Sequence, residues 1–426
     1  MTAVQPHMVD AHGAAASELA GKRLLILGGG LWQVEYVRRS RQLGLETWVT
    51  DWSPSAVARC EADHFEPIDL KDRDATLALA ERAKVDGVFT AADIGVPTAA
   101  HVAARLGLPG ASPELAALAT NKFAMRERCM ALGIACPRYC LVRSVADGCA
   151  AVRAESLPVI VKPVDSCSSR GVRWVDRPSS LAQALEDALA ASLSGQALVE
   201  QFLVGTEGSI EAIVQDGQAT VLGICDKTKS PLPDRYDLEL RYPGTYAAPV
   251  QRGLEALAQR IATGFNVRDG ILHIEFIVLR DTGDVLLIEF AIRGCGSKVV
   301  THLMPPLTGV DVVGVLLRQA LGLRSPVSPR PVVHGALHFL MFPHGRVAAV
   351  HGVAEALAVP GVIDVCVERQ PGEHIHAVHD GRSRPGYVLV RGRDRDEVKR
   401  VLRAVRRCIR LDYDDASGVA PLELPA

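Results

Sequence analysis

Two glutamates in the second half of the chain are spaced so that their carboxylates can meet. Glu275 and Glu289 lie in apolar, strand-like runs joined by a short Asp-Thr-Gly sequence that is typical of a hairpin loop. If Gly283 takes the left-handed position of a three-residue loop, Arg280 pairs with Asp284 and Glu275 lies directly opposite Glu289. Like charges opposite each other are destabilising, so this pair needs a proton or a cation between them. Because Mg²⁺ prefers carboxylate oxygens and keeps water or phosphate oxygens as its other ligands, the spacing predicts a metal and phosphate site.

The period of two along a strand sorts the neighbouring side chains by face. One face carries the two glutamates together with His273, Ala291 and Arg293. The other face carries Ile274, Phe276, Ile288, Phe290 and Ile292. An exposed hairpin with solvated glutamates is the alternative interpretation, and the apolar richness of both strands disfavours it.

A lysine and a serine-rich loop form a second candidate for phosphate binding. Lys162 lies within the apolar run 159–163, and lysines are rarely buried without an anion. The following residues 165–171 offer backbone N–H groups and serine hydroxyls, and Arg170 adds positive charge. A purely structural hairpin loop is the alternative. Further on, a strand over 198–203 leads into 205–207, where backbone groups and carboxylates could meet a base and ribose.

The elements that position these residues begin with an α/β unit. An apolar strand, Gly28-Gly29-Gly30 and a helix over 32–43 are followed by a second strand that ends at Asp51. This order resembles a dinucleotide-binding fingerprint, but the third glycine is missing near Gln33. An NAD(P)-binding oxidoreductase therefore stays open as an alternative to a tight turn without nucleotide. Beyond about residue 120 the pattern predicts mixed α+β structure with largely antiparallel sheets, and the Pro-rich residues 325–333 suggest a connector.

Composition and charge exclude several classes of protein. The chain has 426 residues, 48% of them hydrophobic and 23% charged, which excludes a single small domain and wholesale disorder. Its net charge of -2 gives no basic field for nucleic acid, and no apolar run is long enough to cross a membrane. The ten cysteines are scattered, as in reduced cytosolic proteins. We therefore expect a cytoplasmic protein with neither nucleic acid nor a membrane as a partner.

An ordered series of motifs resembles the ATP-grasp carboxylate–amine ligases over nearly the whole chain. The series reads LGGGLWQ, GLPGASPELAALATNKFAMRERCMALGIACPR, VIVKPVDSCSSRGV, LVEQFLVGTEGSIEA, HIEFIVLRDTGDVLLIEFAIRGCG and RPGYVLVRG. The resemblance implies an ATP-grasp fold of α/β and α+β character, with a Rossmann-like pre-ATP-grasp domain at 21–120 after a flexible tail at 1–20. An ATP-grasp domain at 121–325, with its lid subdomain at about 135–202, and a C-terminal α+β region at 326–426 would complete the fold.

The resemblance also implies a role for individual residues. Glu275 and Glu289 would ligate Mg²⁺, with Mn²⁺ as the alternative ion. Lys162 and Arg293 would be catalytic, the latter by stabilising phosphoryl or acyl oxyanions. The ATP-binding residues would be Lys122 and Lys162 at the phosphates, Ser166, Ser168, Ser169 and Gly171 in the phosphate lid, Glu200, Phe202 and Leu203 at adenine, and Glu207 at ribose.

The implied reaction joins a carboxylate to an amine through an acyl phosphate, with release of ADP and phosphate. The C-terminal motifs are most similar to the L-amino-acid ligases, which make dipeptides, and residues 226–237 and 241–245 should border the substrate pocket. Purine-biosynthesis and biotin-carboxylase-like ATP-grasp ligases are the alternatives within the family. Relatives are often dimers, so a homodimer is the oligomer to test. The family commonly has Asn where this chain has Ala291, so that one metal position would rely on water or be weaker. An ATP-grasp protein that binds nucleotide without turnover stays open as a further alternative.

Overall fold

The computed structural model describes residues 18–330 and 333–414, which form two compact units. One unit contains residues 18–116 and 311–326, and the other contains 117–310 and 327–414. Most of the predicted N-terminal tail, up to residue 17, lies outside the described residues, as do residues 331–332 of the predicted connector.

The helices and strands fall into four groups along the chain. The first group is β1 (Arg23–Leu27), α1 (Val34–Gln42), β2 (Glu46–Thr50), β3 (His64–Glu66), α2 (Arg73–Ala83), β4 (Gly87–Thr90), α3 (Val96–Leu106) and α4 (Pro113–Thr120). The second is α5 (Lys122–Ala131), β5 (Tyr139–Val142), α6 (Val145–Ala151), β6 (Val159–Pro163), β7 (Arg173–Val175), α7 (Leu181–Ala191) and β8 (Ala197–Gln201). The third is β9 (Gly205–Gln215), β10 (Gln218–Lys229), β11 (Asp237–Tyr242), α8 (Ala248–Gly264), β12 (Gly270–Leu279), β13 (Val285–Ala291), α9 (Met304–Thr308) and α10 (Val312–Ala320). The last is β14 (His334–Phe339), β15 (Gly345–His351), α11 (Val353–Leu357), β16 (Val362–Val367), β17 (His374–Ile375), β18 (Gly386–Gly392), α12 (Arg395–Cys408) and β19 (Arg410–Tyr413).

The N-terminal unit is built on a parallel sheet with the strand order β3-β2-β1-β4. The apolar residues of β1 are fully buried, and α2 and α3 pack beside the sheet and against each other. The predicted α/β character of this part of the chain is confirmed. The helix predicted over 32–43 is observed as α1, with its ends moved by one or two residues.

The glycine-rich turn after β1 is held by side chains of this unit. Gly28 has φ +106°, and a Cβ there would lie 3.2 Å from the Gln33 side chain. The carboxylate of Asp51 accepts hydrogen bonds from Gly29 N at 2.9 Å and from Ser53 N at 2.9 Å. Gln33 thus fills the position of the missing glycine, and Asp51 fastens the loop. Both observations favour the tight turn over the NAD(P) site that the sequence left open.

Helix α10 belongs to the N-terminal unit, although the predicted ATP-grasp domain at 121–325 included it. It packs against α1 and β4, and Arg39 forms an ion pair with Asp311 at 2.5 Å. Gly87 of β4 lies so close to α10 that an added Cβ would be 2.4 Å from the Ala320 carbonyl oxygen. The chain therefore returns to its first unit, which a linear division of the sequence does not capture.

The second unit contains three sheets whose observed strand pairs are antiparallel, as predicted. A four-stranded sheet has the order β5-β8-β6-β7, and a larger one has the order β13-β12-β9-β10-β11-β14-β18-β16. The third sheet, β17-β15-β19, is small. Helix α7 covers the four-stranded sheet, and α12 packs on β18 and β14 of the large sheet through its apolar stripe.

Two further features concern the cysteines and the apolar helices. All ten cysteines lie within the described residues and are free thiols. Among the described helices, none is long and apolar enough by itself to cross a membrane, and only the bent pair Val299–Thr308 with Val312–Ala320 passes that test, by length and composition alone.

Candidate active site

A cleft of about 830 Å³, measured to its open mouth, lies in the second unit. It is lined by residues of both larger sheets of this unit and by the serine-rich loop. The predicted site residues in its wall are Lys122, Lys162, Ser166, Ser168, Ser169, Glu200, Phe202, Leu203, Glu207, Glu275 and Glu289. The structure therefore brings together residues that are far apart in the sequence, while their individual roles stay predictions.

The predicted meeting of Glu275 and Glu289 is confirmed, although the hairpin reaches it by a different path. The two residues are register partners on β12 and β13, but at the loop Val278 pairs with Val285, one step away from the predicted register. A bulge at Ile288 restores the pairing. Ile288 consequently lines the cleft, whereas the strict period of two placed it on the opposite face.

A lysine side chain contacts Glu289. Asn121 caps helix α5 by accepting from Ala124 N, and this cap sets the start of the helix so that Lys122 is its first residue. Lys122 Nζ lies 3.2 Å from Glu289 Oε2 and donates to the Ser166 carbonyl oxygen at 2.6 Å. Lys122 thus connects the hairpin of β12 and β13 with the serine-rich loop.

Lys162 belongs to a buried group of charges. Its Nζ lies 2.6 Å from Glu200 Oε2, and Arg126 Nε donates to Glu200 Oε1 at 2.9 Å. Burial and the Arg126 charge lower the pKa of Lys162, whereas Glu200 acts against them. Arg126 is 0% exposed and also donates to the Ile288 carbonyl oxygen. Glu200, predicted to hold adenine, therefore has both carboxylate oxygens in ion pairs.

A second set of charges lies on β10 and on neighbouring strands of the large sheet. Lys227 Nζ contacts Glu275 Oε1 at 2.7 Å and Asp237 Oδ2 at 3.5 Å. Lys229 Nζ contacts Asp237 Oδ1 at 2.8 Å and Glu207 Oε2 at 3.2 Å. Glu207, predicted to bind ribose, is thus an ion-pair partner of Lys229.

The electrostatics of Glu275 follow from its neighbours. Burial would raise the pKa of this carboxyl, but Lys227 and a hydrogen bond from His273 outweigh burial and hold the pKa of Glu275 well below its usual range. Burial lowers the pKa of the His273 imidazole, but the contacts with Glu211 and Glu275 outweigh burial and raise this pKa to about 9. Glu275 is therefore an ionised oxygen donor at neutral pH.

The serine-rich loop has an unusual backbone. Ser168 and Ser169 both have φ +58°, a left-handed conformation that costs free energy in residues other than glycine. The Ser168 carbonyl oxygen accepts from Gly381 N at 3.0 Å, and Arg170 Nε donates to Ser166 Oγ at 3.1 Å. These contacts hold the loop over the cleft in a shape that its sequence does not favour by itself.

Two predicted site residues do not line the cleft. Gly171 has φ +72° and lies against Pro163 and Ala191, where a Cβ would be 2.9 Å and 2.8 Å from their side chains. Arg293 follows the end of β13 at Ala291, and its Nη1 donates to the Gly294 carbonyl oxygen at 2.8 Å. Because the strand has ended, the period of two no longer fixes the direction of the Arg293 side chain, and its predicted position on the glutamate face stays a prediction.

Two charged residues of the site, Arg126 and Glu211, were missed from the sequence. Lys227, Lys229 and Arg235 were expected only as part of the segment 226–237 that should border the substrate pocket. Lys227 and Lys229 alternate along β10, which is a usable signal for two side chains on one face of a strand. Arg126 and Glu211 lack any local signal because their partners are distant in sequence.

The carboxylates present fit a magnesium ion. Two ionisable oxygen donors face each other across one strand pair, at the wall of a cleft, within reach of lysines that could bind phosphate oxygens. Ala291 is the register partner of His273 and offers no side-chain oxygen. Glu275 and Glu289 are therefore the residues that would hold the ion.

Comparisons with known proteins agree with this geometry. Three family models match in order: an ATP-grasp N-terminal domain over residues 37–110, an ATP-grasp domain over 155–302, and an L-amino acid ligase C-terminal domain 2 over 338–414. Together they cover more than half of the chain. The chain belongs to the ATP-grasp superfamily, and its enzyme class is that of the ATP-dependent carboxylate–amine ligases.

Individual relatives share between 21% and 26% of their aligned residues with this chain. The L-amino acid ligase from Bacillus licheniformis superposes with a TM-score of 0.79 at 21% identity, covering 93% of this chain and 100% of that one. An uncharacterized protein, y4rH, of Sinorhizobium fredii is 26% identical over 83% of this chain and 75% of its own. The formate-dependent phosphoribosylglycinamide formyltransferase of Methanocaldococcus jannaschii is 24% identical over 79% of this chain and 85% of its own.

Proposed function

We propose that this protein uses ATP and Mg²⁺ to join the carboxylate of an amino acid to an amine, forming a peptide-type amide. The observation that carries the proposal is the meeting of Glu275 and Glu289 in one cleft with Lys122 and Lys162. The match of the C-terminal residues 338–414 to an L-amino acid ligase domain supports an amino acid as substrate. The free thiols support the predicted cytoplasmic location.

The reaction has two steps. A carboxylate oxygen of the first substrate attacks the γ-phosphorus of ATP, the bond to the β,γ-bridging oxygen breaks, and ADP leaves. The amine nitrogen of the second substrate then attacks the acyl carbon, loses a proton and expels inorganic phosphate. Such a reaction needs positioning and charge neutralisation more than a protein nucleophile.

The side chains of the cleft support these two needs. Lys122 and Lys162 would bind phosphate oxygens, and exchange of their present carboxylate partners for phosphate would bring the nucleotide into place. The serine-rich loop would cover the phosphates and exclude water, which protects an acyl phosphate from hydrolysis. Bound Mg²⁺, held by Glu275 and Glu289, supplies neutralisation of the phosphate charge.

The test is release of inorganic phosphate from ATP and Mg²⁺ by the purified protein, screened against pairs of amino acids and other small carboxylates and amines. We expect release that requires both partners, with the amide detected by mass spectrometry. Binding of ATP without phosphate release for any pair would contradict the proposed ligase activity.

A second candidate is a ligase that activates formate, which the similarity to the formate-dependent formyltransferase favours. Including formate and bicarbonate as carboxylates in the same screen separates the candidates. Release with formate and a phosphoribosylated amine, but with no amino acid pair, would establish the purine-type alternative.

Replacing Glu289 by Gln should lower turnover by about 10²-fold or more, because one metal-binding charge is lost while the side-chain volume stays the same. Phosphate release measures the effect. The matched control is Glu255→Gln on the exposed face of α8, which should leave turnover unchanged. Retained activity in Glu289→Gln would overturn the metal assignment.

A further inference from the structure

A buried chain of polar groups lies behind Glu275. Strands β9 and β12 are paired so that His273 is the register partner of Glu211. Glu211 is 0% exposed and His273 is 6% exposed, so neither side chain serves as a surface group. Glu211 is also absent from the wall of the cleft, and the proposed reaction gives it no role.

The buried polar groups contact one another in order, from Glu211 through His273 to Glu275. His273 Nδ1 faces Glu211 Oε1, and His273 Nε2 faces Glu275 Oε1 at 3.3 Å. The second oxygen of Glu211 accepts from Cys295 N at 3.1 Å. The carboxylate of Glu211 is therefore held at both oxygens, and it holds the imidazole ring in turn.

Glu275 is thereby fixed from two sides. Glu275 Oε1 contacts both His273 Nε2 and Lys227 Nζ. Glu275 is also the register partner of Glu289 on β13. Since Ala291 is the register partner of His273 on the other side, a small side chain lies next to the ring. Because both contacts fall on Oε1, Oε2 is the Glu275 oxygen best placed to meet an incoming ion.

A buried carboxylate is a costly way to stabilise a fold, because well-packed apolar residues of similar volume often stabilise as much or more. A group of this kind is well suited to orienting another polar group. Partners that orient metal ligands through hydrogen bonds typically change metal affinity by about 10- to 100-fold when they are lost.

We propose that Glu211 and His273 are positioning residues, with Glu211 fixing the imidazole of His273 and the imidazole, together with Lys227, fixing the carboxylate of Glu275 for the metal and ATP. This inference rests on the proposed function, since it gives Glu275 the role of a metal ligand. It adds Glu211, which lies in the motif LVEQFLVGTEGSIEA but received no role from the sequence.

The test measures Mn²⁺ binding by electron paramagnetic resonance in the presence of a non-hydrolysable ATP analogue. Glu211→Leu removes both acceptors and should weaken Mn²⁺ binding by about 10- to 100-fold. Glu211→Gln keeps one acceptor for the imidazole and should lose less. His273→Asn keeps a group at the Nδ1 position for Glu211 but loses the group that contacts Glu275, and should weaken binding as Glu211→Leu does.

The control is a second buried glutamate–histidine pair in the same sheet. His338 Nδ1 lies 2.9 Å from Glu239 Oε2, and neither residue lines the cleft. Glu239→Gln should leave Mn²⁺ affinity unchanged. Thermal unfolding followed by circular dichroism identifies any variant that fails to fold, and His273→Asn decides the matter if Glu211→Leu is unfolded.

Two results would overturn the proposal. Wild-type Mn²⁺ affinity in both His273→Asn and Glu211→Leu would show that Glu275 needs no positioning by Glu211 and His273. Stoichiometric zinc in the purified wild-type protein would show that Glu211, His273 and Cys295, whose ligand atoms lie within 4.8 Å of one another, are themselves metal ligands. Mn²⁺ binding is measured without turnover. Weakened Mn²⁺ binding in the variants would therefore support the positioning role even if the wild-type protein released no phosphate. Absence of phosphate release would contradict only the proposed function.

Discussion

The charged side chains around the cleft are neutralised chiefly by one another. Glu200 lies between Lys162 and Arg126, and Glu275 lies between Lys227 and His273. Burial disfavours an isolated charge, so each of these groups needs its partners to stay ionised. The groups are consequently held in place before a ligand arrives, and a change in one partner affects the fold as well as the chemistry.

Replacing Arg126 by Met should lower the free energy of unfolding by about 3–5 kcal/mol, because Glu200 keeps a buried carboxylate and loses one of its two partners. Urea denaturation measures the change. Arg252→Met, at an exposed position of α8, is the control and should change the free energy by less than about 0.5 kcal/mol. Equal stability of the two variants would mean that Lys162 alone suffices for Glu200.

At the scale of elements, strand ends and loop anchors decide which side chains reach the cleft. Strand β10 continues to Lys229 and thereby brings two lysines to the carboxylates of Glu275 and Glu207. The serine-rich loop begins at Asp165, whose carboxylate accepts from Ser192 Oγ at 2.7 Å, Leu193 N at 2.9 Å and Ser194 N at 2.8 Å. This anchor ties the start of the loop to the end of α7.

The Asp165 anchor should depend on pH. Burial raises the pKa of Asp165, but its hydrogen bonds outweigh burial and hold the pKa below its usual value. The stability that this carboxylate contributes is therefore full above its unfolded pKa of 3.8 and is lost as the pH falls through the lower folded value. Asp165→Asn should be less stable than wild type near neutral pH, and the difference should shrink below about pH 4.

Urea denaturation at a series of pH values measures this difference. Asp281→Asn, in the exposed loop between β12 and β13, serves as the control and should match wild type at each pH. A difference for Asp165→Asn that stays constant down to about pH 3 would show that the ionised carboxylate does not carry the anchor.

At the scale of the whole molecule, the chain builds its first unit from two distant segments. Residues 311–326 pack with residues 18–116, and the contact of Gly87 with Ala320 is too close for any side chain at this position of β4. The first unit is therefore completed only after residues 117–310, which belong to the second unit, have been synthesised.

Gly87→Ala should destabilise the protein by about 1–3 kcal/mol, because its Cβ would overlap the Ala320 carbonyl oxygen and force the backbone to move. Gly253→Ala is the matched control, since a Cβ there meets nothing within 4 Å and lies in helix α8. It should stabilise by about 0.4–1 kcal/mol. Thermal and urea unfolding of both variants measure the two signs, and equal effects would contradict the close packing of α10 on β4.

The sequence alone determined the features that depend on near neighbours. Apolar runs, loop residues and the period of two predicted β1, α1 and the hairpin of β12 and β13, including the meeting of Glu275 with Glu289. These signals are local, because a strand or a turn constrains residues only a few positions apart. The ordered motifs added the ATP-grasp fold through their resemblance to a known family.

The tertiary structure alone decided which distant residues share the site and which do not. Arg126 reaches Glu200 across 74 residues, and His273 reaches Glu211 across 62, with no local pattern that indicates either pair. The bulge at Ile288 turned that side chain away from its predicted face, because strand regularity holds only while the ladder continues. The partners of a buried charge are chosen by packing in three dimensions, and that choice leaves no periodic trace in the sequence.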